Sequence, residues 1–167
     1  EQRLKQHIYD RVASNPVFLT RMTQNMVNFK PPLGWFGKIK VEKDGEHKGQ
    51  IDIKKAGIFA ITEGIKALAL EAAALGGSTH DRLEMLVARG TVKEEDAREI
   101  RAAFDSMVLT RLRGHVDAVR SGRKPSNHVS LDPLNRMEFA ELRIALENVG
   151  KFQQFIRHHF KLHLVNQ

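Results

Sequence analysis

Apolar residues recur along most of this chain at three- and four-residue intervals, the mark of amphipathic helices. Leu4, Ile8 and Val12 outline a first polar helix within residues 1–13. Asn15-Pro16 reads as the start of a second, with Asn as N-cap and Pro at the first helical position. It carries Val17, Phe18, Met22, Met26 and Phe29 and is stopped by Pro31-Pro32. Ile58, Ile61, Ile65, Leu68, Ala72 and Leu75 form one stripe from Gly57 to the Gly76-Gly77 break. Ser78 with Asp81 predicts a capping box for a short helix through Leu83, Leu86 and Val87, closed by Gly90. Thr91 with Glu94 repeats the pattern ahead of a long helix to about Ser121. Asp132-Pro133 is expected to open the last helix, which runs through Leu142, Leu146, Val149, Phe152 and Ile156 to Phe160.

One stretch breaks the helical period. Ile39 and Val41 alternate, as do Ile51 and Ile53, so residues 33–53 hold the expected extended structure. A hairpin with Asp44 to Lys48 as its loop puts Val41 opposite Ile51 and Ile39 opposite Ile53, keeping the apolar face together. His47 and Lys48 then sit at the tip. The expected fold class is all-α: an antiparallel helical bundle with a small extended or hairpin insertion. Residues 1–14 read as a connector helix from a missing upstream domain, and 15–165 as the helical domain itself.

Composition narrows the partners. The 167 residues are 41% hydrophobic, enough for one domain with a largely aliphatic core. The net charge of +7 suggests phosphate-bearing partners. No cysteine is present, which excludes disulfides and thiolate zinc sites. No apolar run is long enough to span a membrane, since Ile58 to Leu75 is interrupted by Glu63, Lys66 and Glu71. No signal peptide is visible. The expectations are a cytoplasmic protein, no membrane partner, and a fragment of a longer chain.

Candidate chemistry concentrates in the run Asp44-Gly45-Glu46-His47-Lys48-Gly49-Gln50-Ile51-Asp52-Ile53-Lys54-Lys55-Ala56-Gly57. Glycine permits close backbone approach to a ligand. A helix beginning at Gly57 would present free N–H groups to an anion beside Lys54 and Lys55. His47 and Lys48 could hold a phosphate or be a solvated tip. Asp52 could orient a substrate or merely pair across the hairpin with Lys40. Arg111 and His115 share a face of the long helix, most simply a solvated one, with Arg113 pointing elsewhere. His158, His159 and His163 lack the Glu that a zinc-protease helix needs, so a basic last turn is the simpler reading. His80-Asp81 is better explained by Asp81 serving Ser78. After Gly77-Ser78 no acidic pair follows at the spacing of a nucleotidyltransferase catalytic motif.

Several runs carry a family resemblance: Pro31-Pro32-Leu33-Gly34-Trp35-Phe36-Gly37, Asp44-Gly45-Glu46-His47-Lys48-Gly49, Ile51-Asp52-Ile53-Lys54, Ala88-Arg89-Gly90, Arg111-Leu112-Arg113 and Gly122-Arg123-Lys124-Pro125-Ser126-Asn127. They resemble the C-terminal substrate-binding domain of bacterial nucleotidyltransferases that also carry CBS and cyclic-nucleotide-binding modules. More distantly, the chain is similar to the helical domain of glutamine-synthetase adenylyltransferase and PII-uridylyltransferase. There two acidic residues follow a Gly-rich turn; here Asp52 matches the first and Lys54 stands at the second, so two-carboxylate metal chemistry does not carry over. The resemblance implies a non-catalytic domain that positions the acceptor. His47, Lys48, Asp52, Lys54, Lys55 and Arg113 are its candidate substrate-binding residues, with no catalytic and no metal residue. Mg and the nucleoside triphosphate would belong to the upstream catalytic domain in the same chain, and no cofactor to this one. The partner would be a phosphate-bearing small molecule or an acceptor protein, with a homodimer possible. A regulatory docking module in signal transduction is the alternative. A nucleic-acid-binding bundle stands last, with DNA disfavoured, for want of a known motif or interleaved surface aromatics.

Overall fold

A computed structural model of the chain describes residues 2–162. Six helices make up most of it: α1 (Gln2–Ala13), α2 (Pro16–Asn28), α3 (Phe59–Glu71), α4 (Thr79–Ala88), α5 (Glu94–Arg120) and α6 (Arg136–His159). Two short strands, β1 (Gln50–Asp52) and β2 (His128–Ser130), form one antiparallel ladder. The architecture is an all-α bundle with a small extended insertion.

Helix α3 lies at the centre, in contact with α1, α2, α4 and α6. Its sequence is apolar nearly all round, as a fully enclosed helix requires. Ala60, Ile61, Ile65, Ala67, Leu68 and Ala69 are buried. Small residues let neighbours approach closely. A methyl group added at Gly64 would lie 2.5 Å from the Phe152 ring of α6 and 3.2 Å from Met26 Sδ of α2. The chain enters α3 through a π-turn, Lys54–Ile58, that buries Ala56, Gly57 and Ile58. Gly57 is therefore not the start of the helix. It is a packing position, where a Cβ would meet Met107 Sδ at 2.4 Å and Val149 Cγ2 at 2.8 Å.

The other helices close around this axis. Helix α6 packs most extensively on α5 and also reaches the end of α2. There Gln153 Nε2 donates to the carbonyls of Met26 and Phe29, at 3.1 and 2.8 Å, and Arg157 donates to Val27 at 2.8 Å. These bonds satisfy carbonyls that a helix C-terminus leaves without partners. Helix α1 is joined to the core through Ile8 and Val12, and the Tyr9 hydroxyl accepts from the Leu75 N–H at 3.0 Å.

Three expected starts and pairings differ from the sequence reading. Val41 and Ile51 do not form a hairpin ladder. Ile51 pairs with Val129 and Asp52 with His128, while Ile39 bridges back to Leu33. The loop is closed instead by bonds between Glu42 and residues Gly49 and Gln50. Helix α5 takes Lys93, not Thr91, as its N-cap residue, without a side-chain bond. Helix α6 starts after Asn135 rather than at Asp132-Pro133, because Asn135 and Glu138 form a complete capping box. The Ser78–Asp81 box of α4 is as expected.

One feature stands clear of the core. A single 3-10 turn, Trp35–Gly37, holds Phe36 in the left-handed region (φ 58°, ψ 28°) and leaves Trp35 89% and Phe36 102% exposed.

Two outcomes follow from this packing. Gly64→Ala should destabilise the fold by about 1–3 kcal/mol, the usual range for overpacking a close-packed core, read from the urea unfolding midpoint. Asp81 is held below the ordinary carboxylate range, first by its bond from the Ser78 backbone N–H and then by the Ser78 hydroxyl. Its folded pKa is thus below its unfolded one, so its contribution is present above the unfolded value and is lost as pH falls through the folded value. Asp81→Asn should flatten the acid limb of a Tm-versus-pH curve.

Candidate functional site

A groove of about 1000 Å³ lies between the C-terminal half of α5, the 44–50 loop, β2 and the start of α6. Its walls are built locally. Gly45 and Gly49 adopt φ of 79° and 80°, and no atom lies within 4 Å of a Cβ placed on either. These glycines serve the turn's left-handed backbone. The loop is pinned from the far side by His47, whose ring stacks on His128 of β2 at a centroid separation of 3.5 Å and 7° between planes.

The segment leading into β2 is pinned to α5. Arg111 Nε donates to Asn127 Oδ1 at 2.9 Å, and the His115 ring is 2.8 Å from the Ser126 carbonyl. Arg111 and His115 therefore do not form a solvated face. They anchor the 123–128 segment, and Ile53 N–H extends the sheet by donating to Asn127 at 2.9 Å. Arg113 points into the groove and bonds Glu138 of α6 at 2.8 Å, across its width. Glu138 also receives the Asn135 N–H in the capping box.

What remains is a mixed lining. Leu109, Leu112, Val116 and Leu134 supply apolar surface, and Arg120, Arg123 and Lys124 supply charge. No ion-pair partner of these three cations is found among the described residues. Glu46 and Asp117 are the acids of the groove outside the Arg113 pair. The arrangement can bind an anion attached to an apolar body.

The six predicted site residues do not converge. His47 and Arg113 line this groove. Asp52 and Lys55 line a separate, smaller one of about 250 Å³, and Lys48 and Lys54 are exposed outside both. Asp52 is not paired with Lys40. Its carboxylate accepts from the Lys55 N–H at 3.0 Å and lies 3.5 Å from Lys55 Nζ. The helix-start anion expected near Gly57 is thus supplied by the chain's own Asp52. Arg120 and His128 carried no signal in the sequence, because their neighbours in the groove are remote along the chain. Arg123 and Lys124 lay within a family-like run but read as a polar loop.

Of the three histidines near the C-terminus, His158 and His159 lie among the described residues. His159 pairs with Glu71, and His163 lies outside the described residues. Among the described residues no group of three or more His, Asp or Glu side chains is placed to hold a metal ion, and no helix is long and apolar enough to cross a membrane.

A family model described as "Putative nucleotidyltransferase substrate binding domain" matches residues 16–160. No curated protein and no solved structure matches the chain.

The capping geometry of Asp52 sets an expected outcome. Asp52→Ala should cost about 1 kcal/mol, as for loss of a helix N-terminal cap, and Asp52→Asn should restore most of it by keeping the acceptor. Urea midpoints of the two variants check this.

Proposed function

The chain belongs to the family of nucleotidyltransferase substrate-binding domains, and from that premise we propose that it is the acceptor-positioning part of a multidomain enzyme. The observation that carries the reading is the large groove, with its apolar rim and the uncommitted Arg120, Arg123 and Lys124. In this reading an anionic group of the acceptor rests on these cations while its apolar part lies along Leu109, Leu112 and Val116. His47 and Arg113 shape the same cleft. Exposed ion pairs are weak, so an acceptor anion can draw Arg113 away from Glu138 at small cost. Asp52 supports the strand that carries the wall and does not itself touch substrate.

Mg and the nucleoside triphosphate are assigned to an upstream catalytic domain. This domain's share of catalysis is orientation, which can account for roughly 7 kcal/mol or more of a two-reactant barrier. The isolated chain, incubated with labelled nucleoside triphosphates and magnesium, should give no labelled product.

The regulatory docking alternative draws on one feature. Leu109, Leu112, Val116 and Val119 are all exposed on α5 at alternating three- and four-residue spacing. Arg113 and Arg120 flank this stripe, so two copies packed through it would oppose like charges. A partner with acidic flanks fits better than a homodimer.

The two readings separate by kinetics in the full-length enzyme. A charge-assisted bond contributes about 1.5–3 kcal/mol, so Arg123→Ala/Lys124→Ala should raise KM for the acceptor roughly ten- to a hundredfold with KM for the nucleotide unchanged. Unaltered acceptor kinetics, with lost response to a regulatory ligand, would favour docking instead.

A further inference from the structure

The Trp35–Phe36 tip is left unused by the groove and by the core. Two adjacent aromatic side chains are almost wholly in water, one of them held by a left-handed backbone that a non-glycine residue adopts at a cost. The tip is nonetheless well defined. Lys38 N–H donates to Trp35 at 3.3 Å, Gly34 N–H to Lys38 at 2.7 Å, and Lys40 N–H to Pro32 at 2.7 Å. With the backbone of the turn already fixed, only the side-chain rotamers of the two rings remain to be ordered when something settles on it.

Charge shows what that is. Lys30, Lys38 and Lys40 are exposed, and no partner of any of them is found among the described residues. Lys30, Lys40 and Lys55 line the smaller groove of about 250 Å³ beside the tip. Lys40 joins the two features. It lines the groove, and its Cε lies 3.2 Å from a Cβ placed on Gly34, one residue before Trp35. Within the groove, Asp52 is held by Lys55, which leaves Glu42 as the acid outside an ion pair.

We propose that this strip, from Trp35 and Phe36 through Lys40 into the Lys30 groove, binds single-stranded nucleic acid, with bases on the rings and phosphates on the lysines. Flat aromatic faces beside a cationic track are what a single strand requires, because every base offers a stacking face and every linker a charge. A bilayer would need its cations in one plane around the tip and would leave the groove unfilled. Two aromatic side chains bury about 150–250 Å² each, below the roughly 800 Å² per side of a stable protein interface. The expectation that surface aromatics interleaved with basic residues are lacking is corrected here: Trp35, Phe36, Lys38 and Lys40 form such a run. The smaller groove shares only Gln50 with the large one, and neither the rings nor the lysines of the strip line the latter, so the strip stands or falls independently of the acceptor site.

Trp35 is the sole tryptophan of the chain, so its emission reports this strip alone. The 167-residue protein is titrated with octathymidylate, its duplex with octaadenylate, thymidine triphosphate, and phosphatidylserine vesicles. Octathymidylate should quench Trp35 saturably without a blue shift, at least tenfold more tightly than the triphosphate or the duplex. The log–log salt slope should be about −2, at roughly −0.7 per phosphate contact. Lys30→Ala/Lys40→Ala and Phe36→Gly should each weaken binding at least tenfold. Phe36→Gly suits the left-handed backbone, so it removes the ring without threatening the fold; circular dichroism confirms this. Equal binding of triphosphate and octamer would overturn the strand in favour of a mononucleotide site. A blue shift on vesicles alone would overturn it in favour of a membrane surface. Full affinity in Phe36→Gly, or no response to any ligand, would also overturn it.

Discussion

Enclosure of α3 is the constraint on which the rest depends. A helix this apolar is stable only where other helices cover most of it, leaving Thr62, Glu63 and Lys66 half-buried and Glu71 exposed on its open side. Here α1, α2, α4 and α6 do so, with Gly64 against Phe152 of α6, and the turn ahead of α3 seats Gly57 against Met107 of α5 and Val149 of α6. Gly57 sits at that depth inside the wide Lys54–Ile58 π-turn, so no free helix start lies there. The position of β1 follows, since Gln50–Asp52 leads straight into the turn with only Ile53 between them.

The functional face inherits its shape from this seat. With Ile51 and Ile53 buried, the 44–49 loop has to leave the core on the side of α5. Val129 meets Ile51 across the ladder, and Arg111 and His115 bring the 123–128 segment to the same place. Polar groups in these segments also carry contacts of the fold itself. Asp52 closes the π-turn, Arg111 holds Asn127, and His47 lies flat on His128. The cations left without such duties, Arg120, Arg123 and Lys124, face the groove. Ligand-binding capacity is thus a remainder after the fold's own polar requirements are met.

The same distinction separates the two basic surfaces. In the large groove cations stand beside an aliphatic wall, which suits a bulky acceptor with one anionic end. Around Trp35 and Phe36 they stand beside exposed rings, which suits repeated stacking. The chain's net charge of +7 does not by itself say how charge is divided between these faces.

Much of the short-range chemistry was legible in the residues. The Ser78–Asp81 box and the length of α5 involve partners within four residues or one helical period and are found in the structure. Helix α3 keeps Ile61, Ile65 and Leu68 of its stripe but ends at Glu71, short of the expected Ala72 and Leu75, where Ala73 turns to φ 50°. The helical class follows from them. Where two local signals competed, the reading failed narrowly: Asp132-Pro133 looked like a helix start, but Asn135 with Glu138 offered two reciprocal bonds and prevailed. Long-range pairing was not legible. The alternation of Ile39, Val41, Ile51 and Ile53 indicates extended chain and an inward face, yet not which strand lies alongside. β2 is three residues long and distant in sequence, so its capture of β1 depended on how α5 and α6 pack. The fates of Asp52, Arg111 and His115 turned on that choice, because a polar side chain's role is set by whichever backbone group the tertiary fold brings within bonding distance.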